Sequence, residues 1–310
     1  YEPRIVANTN DMDVGGLIIP ATNTLTALLY GFRHHKVNKA REYYFWRLCD
    51  ELWNHEDLPE KMMVKHPWAE EMIKCVIANR YVSIGGAASS GKSHTMAAWG
   101  ILNWLSAPRD TLVLLTSTTL REARKRIWGS VISLLSVIEG APLKVRDSIG
   151  NVAYINEQGN LIERAGLSLI AAERSKTREA VGKFIGIKQK RVILIGDELA
   201  ELSEAILQAG LSNLSKNPYF QLIGMSNPSS RFDAFGIWSE PKHGWDSVDP
   251  SIDDQWKTKW GGKYVRFDGE RSPNIVAGED IYPWLPTLEK LNEDKAFLGL
   301  ESRGHMRMVR

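Results

Sequence analysis

The sequence predicts an α/β fold with a mostly parallel central sheet, flanked by helices and widened by added antiparallel strands. Three observations predict it. Thr111 to Leu115, Val192 to Ile195 and the run FQLIGM at 220–225 are continuous β-forming stretches, the pattern of strands buried on both faces. Segments of helical period lie between such runs, so strand and helix alternate along the chain. Residues 142–172 then switch to short alternating stretches that turn at Ile149-Gly150-Asn151 and Gln158-Gly159-Asn160, as antiparallel strands at a sheet edge would.

Composition narrows the classes. The 310 residues are 43% hydrophobic and 25% charged, enough for a substantial core in one large or two ordinary domains. A net charge of +2 excludes a bulk polycation, so any contact with nucleic acid must come from a local patch. Cys49 and Cys75 have neither metal-ligand nor disulfide-framework spacing and read as buried, reduced thiols. No apolar run approaches the roughly 20 residues of a membrane span. A start at Tyr1 and an end at MRMVR read as a piece of a longer polypeptide.

Taken in order, residues 1–60 form an N-terminal extension. Turn-rich pieces precede a short helix at TLTALLYGF, and a longer helix follows at NKAREYYFWRLCDELWNH. HPWAEEMIKCVIANR is a helix leading into the strand at Tyr81, and Trp68 in it is placed either to stack on a base or to cover the core edge. After the Thr111 run, Ser117 or Thr118 caps a helix carrying Arg121, Arg124, Lys125 and Arg126 on a basic face. ERSKTREAVGKFIGIKQKR is a loop with at most a short helix. Residues 61–230 make the core, and 231–310 a looser C-terminal part with a strand at Lys263 to Phe267 and a helix near the end.

Two stretches carry chemistry. Gly86 to Ser93 (Gly86, Ala87, Ala88, Ser89, Ser90, Gly91, Lys92, Ser93) satisfies G-x-x-x-x-G-K-[ST], between a β-run and a helical segment that begins with His94. Glycines let such a loop curl its N–H groups onto phosphates at a helix N-terminus, with Lys92 as a point charge and the Ser93 hydroxyl as a Mg²⁺ ligand. The second stretch is RVILIGDE, a buried strand ending in Asp197 and Glu198, where ligands of open parallel sheets bind. Asp197 suits the Mg²⁺ shell, and Glu198 suits the positioning of a water for attack on ATP. One strand later Ser226 and Asn227 end LIGMSN, either as an Asn-Pro turn or as a sensor of the γ-phosphate.

The set GGAASSGKSHT (85–95), TSTTLREARKRIWG (116–129), VILIGDE (192–198), LIGMSNPSS (222–230), GW (244–245) and SPNI (272–275) resembles the N-terminal ATPase region of the large terminase subunit of tailed bacteriophages. The resemblance spans about residues 60 to 275. It implies a P-loop NTPase of the ASCE type that hydrolyses ATP with Mg²⁺ to drive double-stranded DNA into a procapsid. Implied partners are the portal protein, the small terminase subunit and a homo-oligomeric ring of about five copies, in the host cytoplasm and docked on the procapsid. By the same resemblance Gly86–Ser93 is Walker A, with His94 beside it, Asp197 is the Walker B aspartate, Glu198 the catalytic glutamate, and Ser226 with Asn227 the coupling motif. An arginine acting on a neighbour's γ-phosphate maps first to Arg178, then to Arg174 or Arg124. The glutamine such proteins use for adenine is not evident near His66–Trp68, and nothing here matches the family's nuclease domain. A helicase or RecA-like DNA-dependent ATPase is the alternative, and a nucleotide-binding scaffold without turnover is a third reading.

Overall fold

The computed structural model describes residues 12–13, 18–19, 25–141, 143–171, 177–182, 184, 186–249 and 252–298. At the N-terminus β1 (Met12–Asp13) pairs antiparallel with β2 (Ile18–Ile19). Helices α1 (Leu25–His34), α2 (Asn38–Trp53) and α3 (Pro67–Ala78) lead to β3 (Tyr81–Gly86) and α4 (Lys92–Leu105). Then come β4 (Thr111–Ser117), α5 (Leu120–Lys125) and α6 (Ile127–Ser136). A meander of β5 (Leu143–Arg146), β6 (Asn151–Ile155) and β7 (Leu161–Ala171) precedes α7 (Thr177–Gly182) and β8 (Arg191–Gly196). The chain continues through α8 (Glu204–Leu214), β9 (Phe220–Ser226), α9 (Ala234–Ser239), β10 (Gln255–Lys257), β11 (Lys263–Phe267), α10 (Pro273–Ala277) and α11 (Leu288–Leu298).

Nine strands form one sheet in the order β10-β11-β3-β9-β8-β4-β7-β6-β5. The pairs from β11 to β7 are parallel; β10 and the β5-β6 hairpin add antiparallel edges. This is the α/β architecture expected, including the antiparallel addition at 142–172. β3, the strand of the phosphate loop, and β8, the strand ending in Asp197, are separated by β9. The end of β9 therefore lies between them, which positions the site.

Both faces of the central strands are dry, which explains their continuous apolar runs. Val113 and Leu115 of β4 and Ile193 and Ile195 of β8 point into one core, while Leu112, Leu114, Val192 and Leu194 point into the other. On the first face, α1 and α2 pack over α4: Phe32 meets Trp99 edge-on at 5.6 Å, and Trp53 Nε1 donates to the Leu134 carbonyl at 2.9 Å, tying α2 to α6. On the second face α8 and α9 bring Leu207, Phe235 and Trp238 onto the sheet.

The helix after β4 starts later than Ser117 or Thr118. β4 stays in register with β7 through Ser117, and Thr119 is the cap, its hydroxyl accepting from the Glu122 amide at 3.1 Å. The helix also breaks at Arg126, with φ −120° and ψ −111°. Gly129 permits the break, because a Cβ there would lie 2.5 Å from the Arg124 carbonyl oxygen.

Cys49 and Cys75 are free and buried, and burial pushes both thiols up, Cys75 to about 12. Among the described residues no helix is long and apolar enough to cross a membrane.

Candidate active site

β3 delivers the chain to Gly86, whose φ of 145° and a would-be Cβ 2.5 Å from the Phe267 carbonyl oxygen leave room for glycine alone. The loop then curls through Ser89 (φ 59°) and Gly91 (φ 80°) into α4. Thr95 is the first residue of that helix whose amide bonds back, to Gly91 at 2.9 Å. The amides of Lys92, Ser93 and His94 have no intrahelical acceptor and carry the positive end of the helix dipole.

Lys92 is folded under this loop. Its Nζ donates to the carbonyls of Gly86 (3.0 Å) and Ala87 (2.8 Å), to Ser90 Oγ (3.0 Å) and to Asn227 Oδ1 (3.0 Å). Burial lowers it to about 8, against the pull of the nearby Glu198 and Asp197 charges.

Asp197 follows β8 and is 2% exposed. Its Oδ1 accepts from Ser93 Oγ at 2.9 Å, while Oδ2 is buried with no hydrogen-bond partner among the described residues. Burial, then the Glu198 charge, raises this carboxyl to about 6, although Ser93, Arg126 and Lys92 pull the other way. A hydroxyl and a buried carboxylate with a spare oxygen suit a hard divalent cation that completes its shell with phosphate oxygens and water. No group of three or more His, Cys, Asp or Glu side chains that could hold a metal exists among the described residues.

Glu198 adopts φ 53° and ψ 50°, left-handed backbone that is rare for a side chain of this kind. The turn carries its carboxylate to Arg126 Nη1 at 3.3 Å and to Ser226 Oγ, which donates to it at 3.3 Å. Ser226 is buried, and its Oγ also accepts from the Ala200 amide at 3.3 Å. Residues from the ends of β3, β8 and β9 thus form one contact chain: Lys92 to Asn227, Ser93 to Asp197, and Glu198 to Ser226.

A further arginine, not among those the resemblance offers, reaches the site within this chain. Arg124 donates to the carbonyls of Asp147 and Ser148, at 2.9 Å each, and holds the β5-β6 connection. Arg126, part of the basic face but not singled out, is the arginine that reaches the site. Only the break between α5 and α6 aims it there, a feature invisible to helical periodicity. Arg178 lies exposed on α7, and Arg174 lies outside the described residues. Arg126→Ala should leave Glu198 without its cationic neighbour and cut turnover about 10- to 100-fold with little change in nucleotide affinity, read by steady-state ATP hydrolysis and equilibrium binding.

Of the two readings offered for Trp68 the structure has the core one, and the His94 side chain turns away from the loop. Trp68 is buried in the core, its ring 5.5 Å from Phe267, because it shares the inward face of α3 with Met72 and Ile73. A base cannot stack there without opening the core. The His94 ring turns to the Met62 carbonyl, 2.7 Å from Nε2, so only its backbone amide belongs with the loop. The aromatic groups beside the loop are instead His66, Tyr282 and Trp284. His66 lies against Gly91, and its ring is 5.5 Å from Tyr282 and 6.4 Å from Trp284. Burial lowers His66 to about 4, so it is neutral. Trp284 also lines a cavity of about 340 Å³ shared with Ala87, Ala88, Ser89 and Lys290.

The fold is that of the P-loop NTPases, with the phosphate-loop motif, Asp197 and Glu198 brought together at the strand ends. Among solved structures, the chain is similar to the large terminase of a thermophilic bacteriophage in complex with ADP, at 12% identity and a TM-score of 0.51 over 76% of this chain and 48% of that one. It is also similar to the large terminase ATPase domain of Thermus phage P74-26, at 14% identity and a TM-score of 0.52 over 79% of this chain and 92% of that one. The chain therefore has the fold of the large-terminase ATPase domains, and it spans about half the length of the ADP-bound terminase. No family model matches the sequence, and no curated protein does.

Proposed function

We propose that this chain is the ATPase part of a viral DNA-packaging motor, a large terminase subunit, converting ATP and water to ADP and phosphate. The observation that carries the reading is the joining of Ser93, Asp197, Glu198 and Ser226 at the ends of three parallel strands, with Lys92 and Asn227 bonded beside them. Loop amides from 87 to 94 and Lys92 would cradle the phosphates. Mg²⁺ held by Ser93 and Asp197 would neutralise charge on the β- and γ-phosphates. Glu198, oriented by Ser226 and Arg126, would accept a hydrogen bond from the attacking water and align it with the γ-phosphorus. Ser226 and Asn227 touch both the glutamate and the lysine, so loss of the γ-phosphate would be felt along β9.

The remaining roles follow from the family reading. An exposed arginine, Arg178 first, would act on a neighbouring copy in a ring, and double-stranded DNA, portal protein and small subunit would be the partners, with a nuclease elsewhere in the full protein. Resemblance in fold to an ADP-bound terminase supports a nucleotide ligand here.

The test is Mg²⁺-dependent ATP hydrolysis measured over a series of protein concentrations. Specific activity should rise with concentration, as a neighbour's arginine becomes available. Lys92→Ala should weaken nucleotide binding by about 10- to 100-fold, the worth of a charge-assisted hydrogen bond to phosphate. Wild-type affinity in that variant would overturn the site. For the base, the cavity beside Trp284 is the place the geometry favours. Trp284→Ala should raise the KM for ATP by about tenfold with kcat unchanged, in line with the loss of one base-aromatic stack.

A further inference from the structure

A second cavity, of about 520 Å³, opens at the far end of the same strands, where β3, β8 and β9 begin. It is separated from the phosphate loop by the length of those strands, about 20 Å at 3.3 Å per residue. Five cations line it: Arg33 and Arg41 from the N-terminal helices, Arg80 just before β3, and Lys190 and Arg191 at the start of β8. None of its lining residues is acidic. Among the described residues the one carboxylate in contact with the set is Asp110, at 3.5 Å from Arg33 and 3.7 Å from Lys190, and it lies outside the lining.

Four of the five, Arg33, Arg41, Arg80 and Arg191, are also held by neutral partners. Arg80 donates to the carbonyls of Phe220 (2.9 Å), Ser215 (2.6 Å) and Asn217 (2.7 Å). Arg41 donates to the Phe32 carbonyl at 3.1 Å and lies 5.7 Å over that residue's ring. Arg33 donates to the Ser106 carbonyl at 3.2 Å, and Arg191 to Asn103 Oδ1. Carbonyl and amide oxygens fix the guanidinium planes without cancelling their charge. Burial, then repulsion from Arg41 and Arg33, brings Arg191 down to about 10, so the cluster is electrostatically unfavourable as it stands. Arg33, Arg41 and Arg191 are half-buried and Arg80 and Lys190 exposed at the rim, so an anion can reach all five, and guanidinium forks match phosphate oxygens in pairs.

We propose that this cavity is an anion-binding site for a small ligand carrying two or more linked phosphate groups, distinct from the phosphate loop. Its volume falls in the range of small-molecule sites. Trp99, Phe220 and Tyr219 supply apolar wall beside the cations, room for a ligand body as well as its charges. The site stands independently of the hydrolysis reading.

The probe is inorganic pyrophosphate without added metal, titrated by calorimetry into full chain carrying Lys92→Ala, so that the phosphate loop is disabled. One binding event is expected, with a matching rise in melting temperature. Adding Arg41→Gln or Arg191→Gln should weaken it by about tenfold or more. Because those arginines are partly buried and their loss can unfold the chain, Arg33→Gln and Lys190→Ala at the rim serve as the second pair, with circular dichroism as the folding check. No binding to the Lys92→Ala protein, or equal affinity in all the variants, would overturn the proposal. So would displacement of pyrophosphate by a short DNA duplex, since that would assign the cations to a polymer backbone.

Discussion

Glu198→Gln is expected to abolish steady-state ATP hydrolysis while leaving nucleotide binding intact. Glutamine keeps the length, still accepts from Ser226 Oγ, and loses the ion pair with Arg126 and the basic oxygen facing the water. Loss of a positioned carboxylate of this kind costs about 10²- to 10⁴-fold in rate. Binding should survive because the loop amides, Lys92 and the Ser93–Asp197 pair are untouched. Single-turnover hydrolysis beside equilibrium binding of ATP separates the two effects. Hydrolysis at the wild-type rate would remove Glu198 from the chemistry.

Asp197→Asn should make the nucleotide-free protein more stable and disable it at the same time. Asp197 sits at about 6 in the folded chain against an ordinary value of 3.8, so between those values the folded chain holds the proton more firmly than the unfolded chain. Stability from this group therefore falls as pH rises through that window, and the full penalty of the buried charge stands at pH 7. Asparagine can still accept from Ser93 and carries no charge to bury. The melting temperature at pH 7 should rise by a few degrees, at about 2 °C per kcal/mol for a chain of this size, and the gain should fade as pH is lowered to 4. Conversely, the stabilisation that Mg²⁺ and ATP give the wild type should be lost. An equal melting temperature across pH 4 to 7 for the two proteins would show that Asp197 is not strained by its burial.

Parts of this site were legible in the sequence because local chain geometry makes them. A glycine turn between strand and helix needs Gly86, Gly91 and Lys92 at fixed intervals, and a buried strand announces its end at Asp197. The α/β alternation followed from β4, β8 and β9 being apolar on both faces. What escaped depends on tertiary packing. Arg126 looks like one more cation on a basic helix until the chain breaks at that very residue. For Trp68 the sequence left two readings open, and only the packing of α3 selects the core one. Tyr282 and Trp284 lie almost two hundred residues beyond the loop, and only the pairing of β11 with β3 brings that part of the chain back beside Gly91.

The four oxygens around Lys92 Nζ also bear on exchange kinetics. They take the hydrogen bonds that phosphate oxygens would otherwise take, so the lysine is neither free nor exposed. An arriving nucleotide must trade ligands with the loop's own carbonyls and with Asn227, and a departing one hands the lysine back. The hydrogen-bond part of the gain is thereby reduced in the difference between the two states, while the charge attraction to phosphate remains. Such a swap would let the loop keep one shape with and without nucleotide.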